Sequence, residues 1–359
     1  MASHRLSVLS THILVNTPVS AYAPPSPWEE KNQTGRSVAP DAERLRKMMT
    51  VEPPRVAETN TNFRTILYKK DGNIAIISQN RPHVLNARNQ QLYYDTIAAF
   101  EEAELDPEVH AIIFTGEGRY MCSGADTTGG AKKGPLDDLP DPARVRELKS
   151  VKWLPIGDGS NEVDASDSST WPAIRFINKF INCQKLLVAA VNGPAIGEGC
   201  SSLLHADVVY SVDTATFWMP FHRIAAVPEF CSSVLLKERV GANIANEMLL
   251  LSKKKTAQEL KACGFINEII PAGEDFMAGV LQRVREGLEL AGDPSVRDES
   301  MRLFKGMMKT QEFRDRLMIL NQREQELSFG WHGRSEVKQL NMKYYAKTMP
   351  TRIGGREKK

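Results

Sequence analysis

The stretch Ala190-Val191-Asn192-Gly193-Pro194-Ala195-Ile196-Gly197-Glu198-Gly199-Cys200 decides how this chain is read. It closes the most apolar strand candidate of the sequence, residues 186–191, with an Asn-Gly-Pro turn signature. Small residues then lead to a point where a helix can start. A buried strand that passes through glycines into a helix leaves backbone N–H groups unpaired and aimed at a cavity. Two such groups directed at one oxygen form an oxyanion hole, worth several kcal/mol in a dry site. The glycine spacing is neither a Walker loop nor G-x-G-x-x-G, which excludes a nucleotide-phosphate or dinucleotide reading.

A second segment, Met121-Cys122-Ser123-Gly124-Ala125-Asp126, has the same character: a strand end running into small residues. Upstream, residues 74–77 follow Asp71-Gly72 as a short apolar strand. Residues 89–105 form a helix on the spacing of Leu92, Tyr93, Ile97 and Phe100, stopped by Asp106-Pro107. Residues 111–114 and 207–210 read as further strands, and 265–270 as strand-like. Helices are expected over 229–240, 243–251 and 256–263, with Gly264 as the stop, and then over 275–290, 300–310 and 313–329. Between the second motif and Trp171 lies an insertion with Gly129-Gly130, Lys132-Lys133, several prolines and a Ser/Asp-rich patch, expected as a lid or surface loop.

Apolar residues at 42% and charged residues at 25% are ordinary for a globular protein, and a formal charge of +2 over 359 residues gives no argument for nucleic acid. No apolar run reaches the roughly 18 residues of a membrane span. The five cysteines are scattered and form no C-x-x-C pair, so neither a disulfide framework nor a zinc site is expected. Residues 1–28 lack acidic side chains, and the stretch to residue 62 is rich in Ser, Thr and Pro with little apolar periodicity, as expected of a flexible leader.

Taken in order, the motifs resemble the crotonase (enoyl-CoA hydratase/isomerase) superfamily over residues 63–276. The matching text is Asn80-Arg81-Pro82 with Asn86-Ala87, then Ser123-Gly124-Ala125-Asp126, then residues 190–197. It continues through Asp213-Thr214-Ala215-Thr216-Phe217, Pro228-Glu229, Lys255-Thr256-Ala257 and Gly264-Phe265-Ile266-Asn267-Glu268. The resemblance implies an α/β fold, the ClpP-like crotonase spiral of repeated ββα units forming two sheets, followed by a C-terminal helical trimerisation region at 277–359. It implies an acyl-CoA thioester as substrate, no metal or other cofactor, and a homotrimer or dimer of trimers.

The resemblance also places the site. The oxyanion hole would come from the backbone N–H groups of Ser123 and Glu198. Substrate and coenzyme would lie along Asn86, Ala87, Ser123, Gly124, Ala125, Asp126, Gly197 and Phe221. The two glutamates of a hydratase fall on Ser201 and Phe221, so hydration by that route is not expected. Pro228-Glu229-Phe230-Cys231-Ser232-Ser233 is similar to the peroxisomal-type Δ3,Δ2-enoyl-CoA isomerases, whose single catalytic glutamate would be Glu229. Glu198 departs from that subgroup, which carries an apolar residue there. Alternatives are a hydratase or dienoyl-CoA isomerase using Glu198 as a second group, a non-catalytic acyl-CoA or acyl-lysine binder, and a scaffold subunit. His205 and His222 are expected to be structural, while Lys305 and Lys309 lie where family members sometimes meet coenzyme phosphates. Arg5-Leu6 and His12-Ile13 resemble an N-terminal peroxisomal (or glycosomal) import signal, with a mitochondrial presequence as the alternative.

Overall fold

Strand-forming runs flanked by turn residues build the centre of the molecule. The computed structural model describes residues 63–126, 171–272, 275–290, 293–332, 336–337 and 339–340, all within the unit Asn60–Lys359. The expected leader and nearly all of the 127–171 insertion lie outside these residues, as does the import signal.

β1 (Ile66–Asp71) turns through Gly72-Asn73 into antiparallel β2 (Ile74–Gln79). Helix α1 (Gln90–Leu105) follows, with the Asn89 side chain accepting the Leu92 N–H at its start, and leads to β3 (Ala111–Gly116). After α2 (Pro172–Asn182) come β4 (Leu186–Val191), the short β5 (Ala195–Ile196) and the single helical turn α3 (Glu198–Ser201). The chain continues through β6 (Val208–Val212), β7 (Thr216–Trp218), α4 (Ser232–Val240) and α5 (Ala242–Leu249). Then follow β8 (Lys255–Thr256), α6 (Ala257–Ala262) behind a Thr256/Glu259 capping box, and β9 (Glu268–Ile270). Helices α7 (Phe276–Leu290), α8 (Pro294–Met308) and α9 (Gln311–His332) end the described chain.

The strands form two sheets, one ordered β1-β2-β3-β4-β6-β9 and a smaller one ordered β5-β7-β8. From β2 to β9 the large sheet is parallel, and its central strands β2, β3 and β4 are buried and largely apolar, as a sheet covered on both faces requires. The alternation of side chains sorts the two layers. Ile74, Ile76, Ala111, Ile113, Val188 and Ala190 meet Val280, Val284 and Leu288 of α7 on one face. On the other, Phe114 joins Phe100, Phe176 and Phe180 of α1 and α2 in a cluster of tilted and edge-on rings. Helix α7 thus closes one side of the same core that the upstream residues begin.

Several sequence expectations move; the helix expected from residue 300, for one, begins at Pro294 as α8. The helix expected from residue 229 begins at Ser232, because Phe230 and Cys231 take left-handed backbone angles (φ 57° and 62°) that no helix accommodates. The expected strand over 265–270 shortens to Glu268–Ile270.

The two glycine-bearing motifs lie side by side. The Ile196 N–H donates to the Cys122 carbonyl at 2.9 Å, and Met121 donates to Pro194 at 3.1 Å. A Cβ on Gly193 would sit 2.2 Å from the Arg119 carbonyl oxygen, and one on Gly199 2.6 Å from Cys122 Cβ. Gly193→Ala is therefore expected to destabilise the fold by about 3 kcal/mol in urea unfolding. Gly287→Ala, on an exposed turn of α7 with nothing within 4 Å, should instead stabilise by about 0.5–1 kcal/mol.

Candidate active site

The end of β4, the start of α3 and the loop before α4 converge beside α1 and α9. Glu198 is the first residue of α3 and is 2% exposed. Its N–H has no acceptor within its own helix, as for any first-turn residue. Its carboxylate Oε2 accepts from the Tyr93 hydroxyl of α1, while Oε1 is buried without a hydrogen-bond partner among the described residues.

Arg88 locks this corner. Its guanidinium is 2% exposed and lies over the Phe176 ring at 4.9 Å. Nη1 donates to the Glu198 carbonyl at 2.9 Å, Nη2 to Ser202 Oγ at 3.0 Å, and Nε to Gln79 Oε1 at 2.9 Å. A buried cation without a compensating anion costs several kcal/mol, so its position beside Glu198 is electrostatically consistent.

Glu229 precedes α4 in a tight turn: its N–H donates to Ser232 Oγ at 3.2 Å, and its carbonyl accepts from Ser232 N–H at 3.1 Å. It is not an acid in the first turn of that helix, so the helix dipole is not what keeps it there. The residue is partly exposed. Desolvation raises its carboxyl well above the usual carboxylate range, and the charges of Glu198 and Glu324 raise it further, against Arg88 and Gln325. Burial also raises the Glu198 carboxyl, opposed by Arg88 and by the Tyr93 hydroxyl.

The left-handed pair Phe230-Cys231 costs about 1–2 kcal/mol per residue and must be held from outside. Three anchors hold it. His205 Nε2 lies 3.0 Å from the Phe230 carbonyl, Cys231 Sγ donates to the Leu317 carbonyl at 3.2 Å, and Glu324 accepts the Cys231 N–H at 2.6 Å. Glu324 also accepts the Ser233 N–H at 3.2 Å and the Ser233 hydroxyl. Burial lowers His205 to about 3, so at neutral pH it is uncharged and donates to Phe230, the structural role expected of it.

The remaining candidates divide. Gly124 borders Ile196 and Gly197: a Cβ on Gly124 would lie 3.3 Å from the Ile196 oxygen, while Ala125 pairs with Arg88 in a β-bridge. The Ser123 N–H, however, donates to the Leu85 carbonyl at 3.0 Å, so within the chain it is already engaged. The Asn86 side chain is internal too, accepting from Arg81 N–H at 2.9 Å and donating to the Glu117 and Tyr120 carbonyls at 2.9 and 2.8 Å. It shapes the loop that carries Ala87. Asp126 is paired with Arg81 at 2.8 Å. Phe221 is buried at the start of a 3-10 turn, and Ser201 is buried with its hydroxyl on the Gly197 carbonyl at 3.2 Å. His222 is exposed. Lys305 and Lys309 do not form a free cationic pair, since both bind Asp207, at 2.6 and 2.7 Å.

Sequence reading missed Arg88, Tyr93, Glu324 and Gln325 as site residues. Tyr93 was legible only as a helix-face residue, and the last two lie on a helix remote in sequence. Among the described residues no group of three or more His, Cys, Asp or Glu side chains is arranged to hold a metal. A surface hollow of about 430 Å³ bordered by His110, Lys185 and Asp298 lies elsewhere, and Asp298 is already bonded to both of the others.

Comparison with known proteins gives the family and the fold. Residues 69–151 and 156–329 match the enoyl-CoA hydratase/isomerase family model. The chain is 33% identical over 259 residues to enoyl-CoA delta isomerase 3, peroxisomal, of Mus musculus, covering 72% of this chain and 71% of that protein. It is equally similar, 33% over 259 residues and 72% of its length, to enoyl-CoA delta isomerase 2 of Rattus norvegicus, of which it spans 58%. A crystal structure of an enoyl-CoA hydratase/isomerase from Pseudoalteromonas atlantica T6c superposes with a TM-score of 0.62 at 23% identity, over 80% of this chain and 99% of the other, which shows the fold.

Glu324→Ala would leave the Cys231 and Ser233 N–H groups without their acceptor beside the strained pair. The expected outcome is a loss of about 2–4 kcal/mol in urea unfolding, with Glu324→Gln, which keeps an acceptor oxygen, losing less than half as much.

Proposed function

Because the chain belongs to the enoyl-CoA hydratase/isomerase family, we propose that it shifts the double bond of a 3-enoyl-CoA to trans-2-enoyl-CoA, with Glu229 as its single proton shuttle. The observation that carries the reading is the Glu229 carboxyl, desolvated and held in a rigid turn facing the Glu198 end of α3. The two relatives named as delta isomerases support the same choice.

In a 3-enoyl thioester the C2 proton is acidified by the carbonyl and by the adjacent double bond. Glu229 as carboxylate takes that proton, and the C–H electron pair delocalises into the carbonyl, giving a dienolate. The Glu198 N–H, at the start of α3, faces the developing oxyanion. The Ser123 N–H holds the family's second donor position but here donates to the Leu85 carbonyl at 3.0 Å, so the Glu198 N–H is the donor this reading relies on. The protonated Glu229 then returns its proton at C4, and the double bond settles between C2 and C3. Desolvation makes the glutamate a stronger base than it would be in water.

Hydration by the usual two-glutamate route is less well supported, because the Ser201 hydroxyl donates to the Gly197 carbonyl and Phe221 has no proton to exchange. Self-association as a homotrimer or dimer of trimers belongs to the same proposal, supported by exposed Leu303, Phe304, Met307 and Met308 on α8. A peroxisomal or glycosomal setting is supported by the Arg5-Leu6 and His12-Ile13 pattern and by the mouse relative's name.

Purified protein should convert 3-enoyl-CoA to the conjugated thioester, followed by its absorbance. Glu229→Gln should lower kcat by about a hundredfold or more, with bound acyl-CoA retained. Accumulation of 3-hydroxyacyl-CoA would point to hydration instead, and binding without turnover at any chain length would leave a binding protein.

A further inference from the structure

The proton shuttle just described needs one carboxylate, yet the pocket holds a second one that this mechanism leaves without a task. Glu198 is buried at 2% exposure, and one of its oxygens has no partner among the described residues. It does not stand there unsupported. The Tyr93 hydroxyl donates to Oε2, and Arg88, fixed by three hydrogen bonds to Gln79, the Glu198 carbonyl and Ser202, brings a positive charge to the same corner. A hydroxyl donor and a buried cation both favour an ionised carboxylate.

Glu229 has the opposite surroundings. The groups facing it are Glu198 from α3, Glu324 and Gln325 from α9, and Arg88 from the loop before α1. Glu324 is bonded to backbone and hydroxyl donors of the next residues and adds a second negative field. Glu198 in turn faces Arg88 and Tyr93, and the buried Cys122 thiol, raised to about 11, stays neutral beside both carboxyls. One cation therefore serves two carboxyl groups in a desolvated space. The Phe176 ring is the common wall: it meets Tyr93 at 5.3 Å, Arg88 at 4.9 Å and Phe230, the neighbour of Glu229, at 6.0 Å. Two like charges sharing such a corner oppose each other's ionisation, which favours the proton on the member with the poorer support.

We propose that Glu198 is a positioning residue for the isomerase reaction: held by Tyr93 and Arg88, it keeps the negative charge of the pair and so governs when Glu229 is free to act as base. The inference rests on the proposed isomerase reading for its kinetic form, but the proton sharing itself belongs to the free protein. Glu198 touches neither the C2 nor the C4 proton in this scheme. It makes Glu229 a stronger base that is available over a higher range of pH, and the two titrate as a pair.

The test is the pH dependence of kcat/KM for 3-enoyl-CoA with wild type, Glu198→Gln and Tyr93→Phe. Glu198→Gln should move the acid limb to lower pH by about one unit or more, and Tyr93→Phe should move it the same way by less. A plateau lower than wild type with the limb in place would mean a purely structural role and would overturn the proposal. Carbon-13 NMR titration of glutamate carboxyls in the ligand-free full chain reads the same pair without turnover. The resonance lost in Glu229→Gln should titrate above the normal carboxylate range in wild type and return toward it in Glu198→Gln. If that resonance is unmoved by Glu198→Gln the proposal fails, whereas an inactive wild type with the shift intact would sink only the isomerase reading.

Discussion

The Ile196 N–H meets the Cys122 carbonyl at 2.9 Å, and the geometry around that bond allows no side chain at Gly193 or Gly199. This close approach of two backbones fixes the position of α3, and α3 fixes Glu198. Its N–H then stands at the open first turn of that helix and its side chain meets Tyr93. Arg88 ties the same peptide to the large sheet through Gln79 and to the following turn through Ser202. The site is rigid because its walls are main chain, held by glycines on one side and a buried guanidinium on the other.

The second wall is built by distant residues. Glu229 stands before two left-handed residues, and the carboxylate that holds them, Glu324, is 93 residues away from Cys231 along the chain. Helix α9 is therefore part of the active-site scaffold as well as the end of the described fold. Its Asn321 reaches the α2 backbone at Ile174, which ties the helix to the aromatic layer under the site. Local strain beside Glu229 is balanced by long-range hydrogen bonds, an arrangement common where backbone strain serves a site.

What the sequence revealed follows from this division. The strands 74–77, 111–114 and 186–191 were legible because parallel strands buried on both faces are continuous apolar runs. The two glycine motifs were legible because a close backbone approach demands small residues. The start of α4 was not, since helical spacing continues through Phe230 and only tertiary hydrogen bonds impose φ > 0 there. Arg88 and Glu324 carried no local signal: each gains its meaning from partners far along the chain. Lys305 and Lys309 are held by Asp207, a partner that spacing alone does not pick out.

The most direct test of the central claim is to follow a 3-enoyl-CoA deuterated at C2 through early turnover in ordinary water. A shuttle by the single carboxylate of Glu229 predicts that part of the label reappears at C4 of the 2-enoyl product. Label found nowhere but in solvent from the first turnovers, or a hydroxyl at C3 of the product, would contradict it.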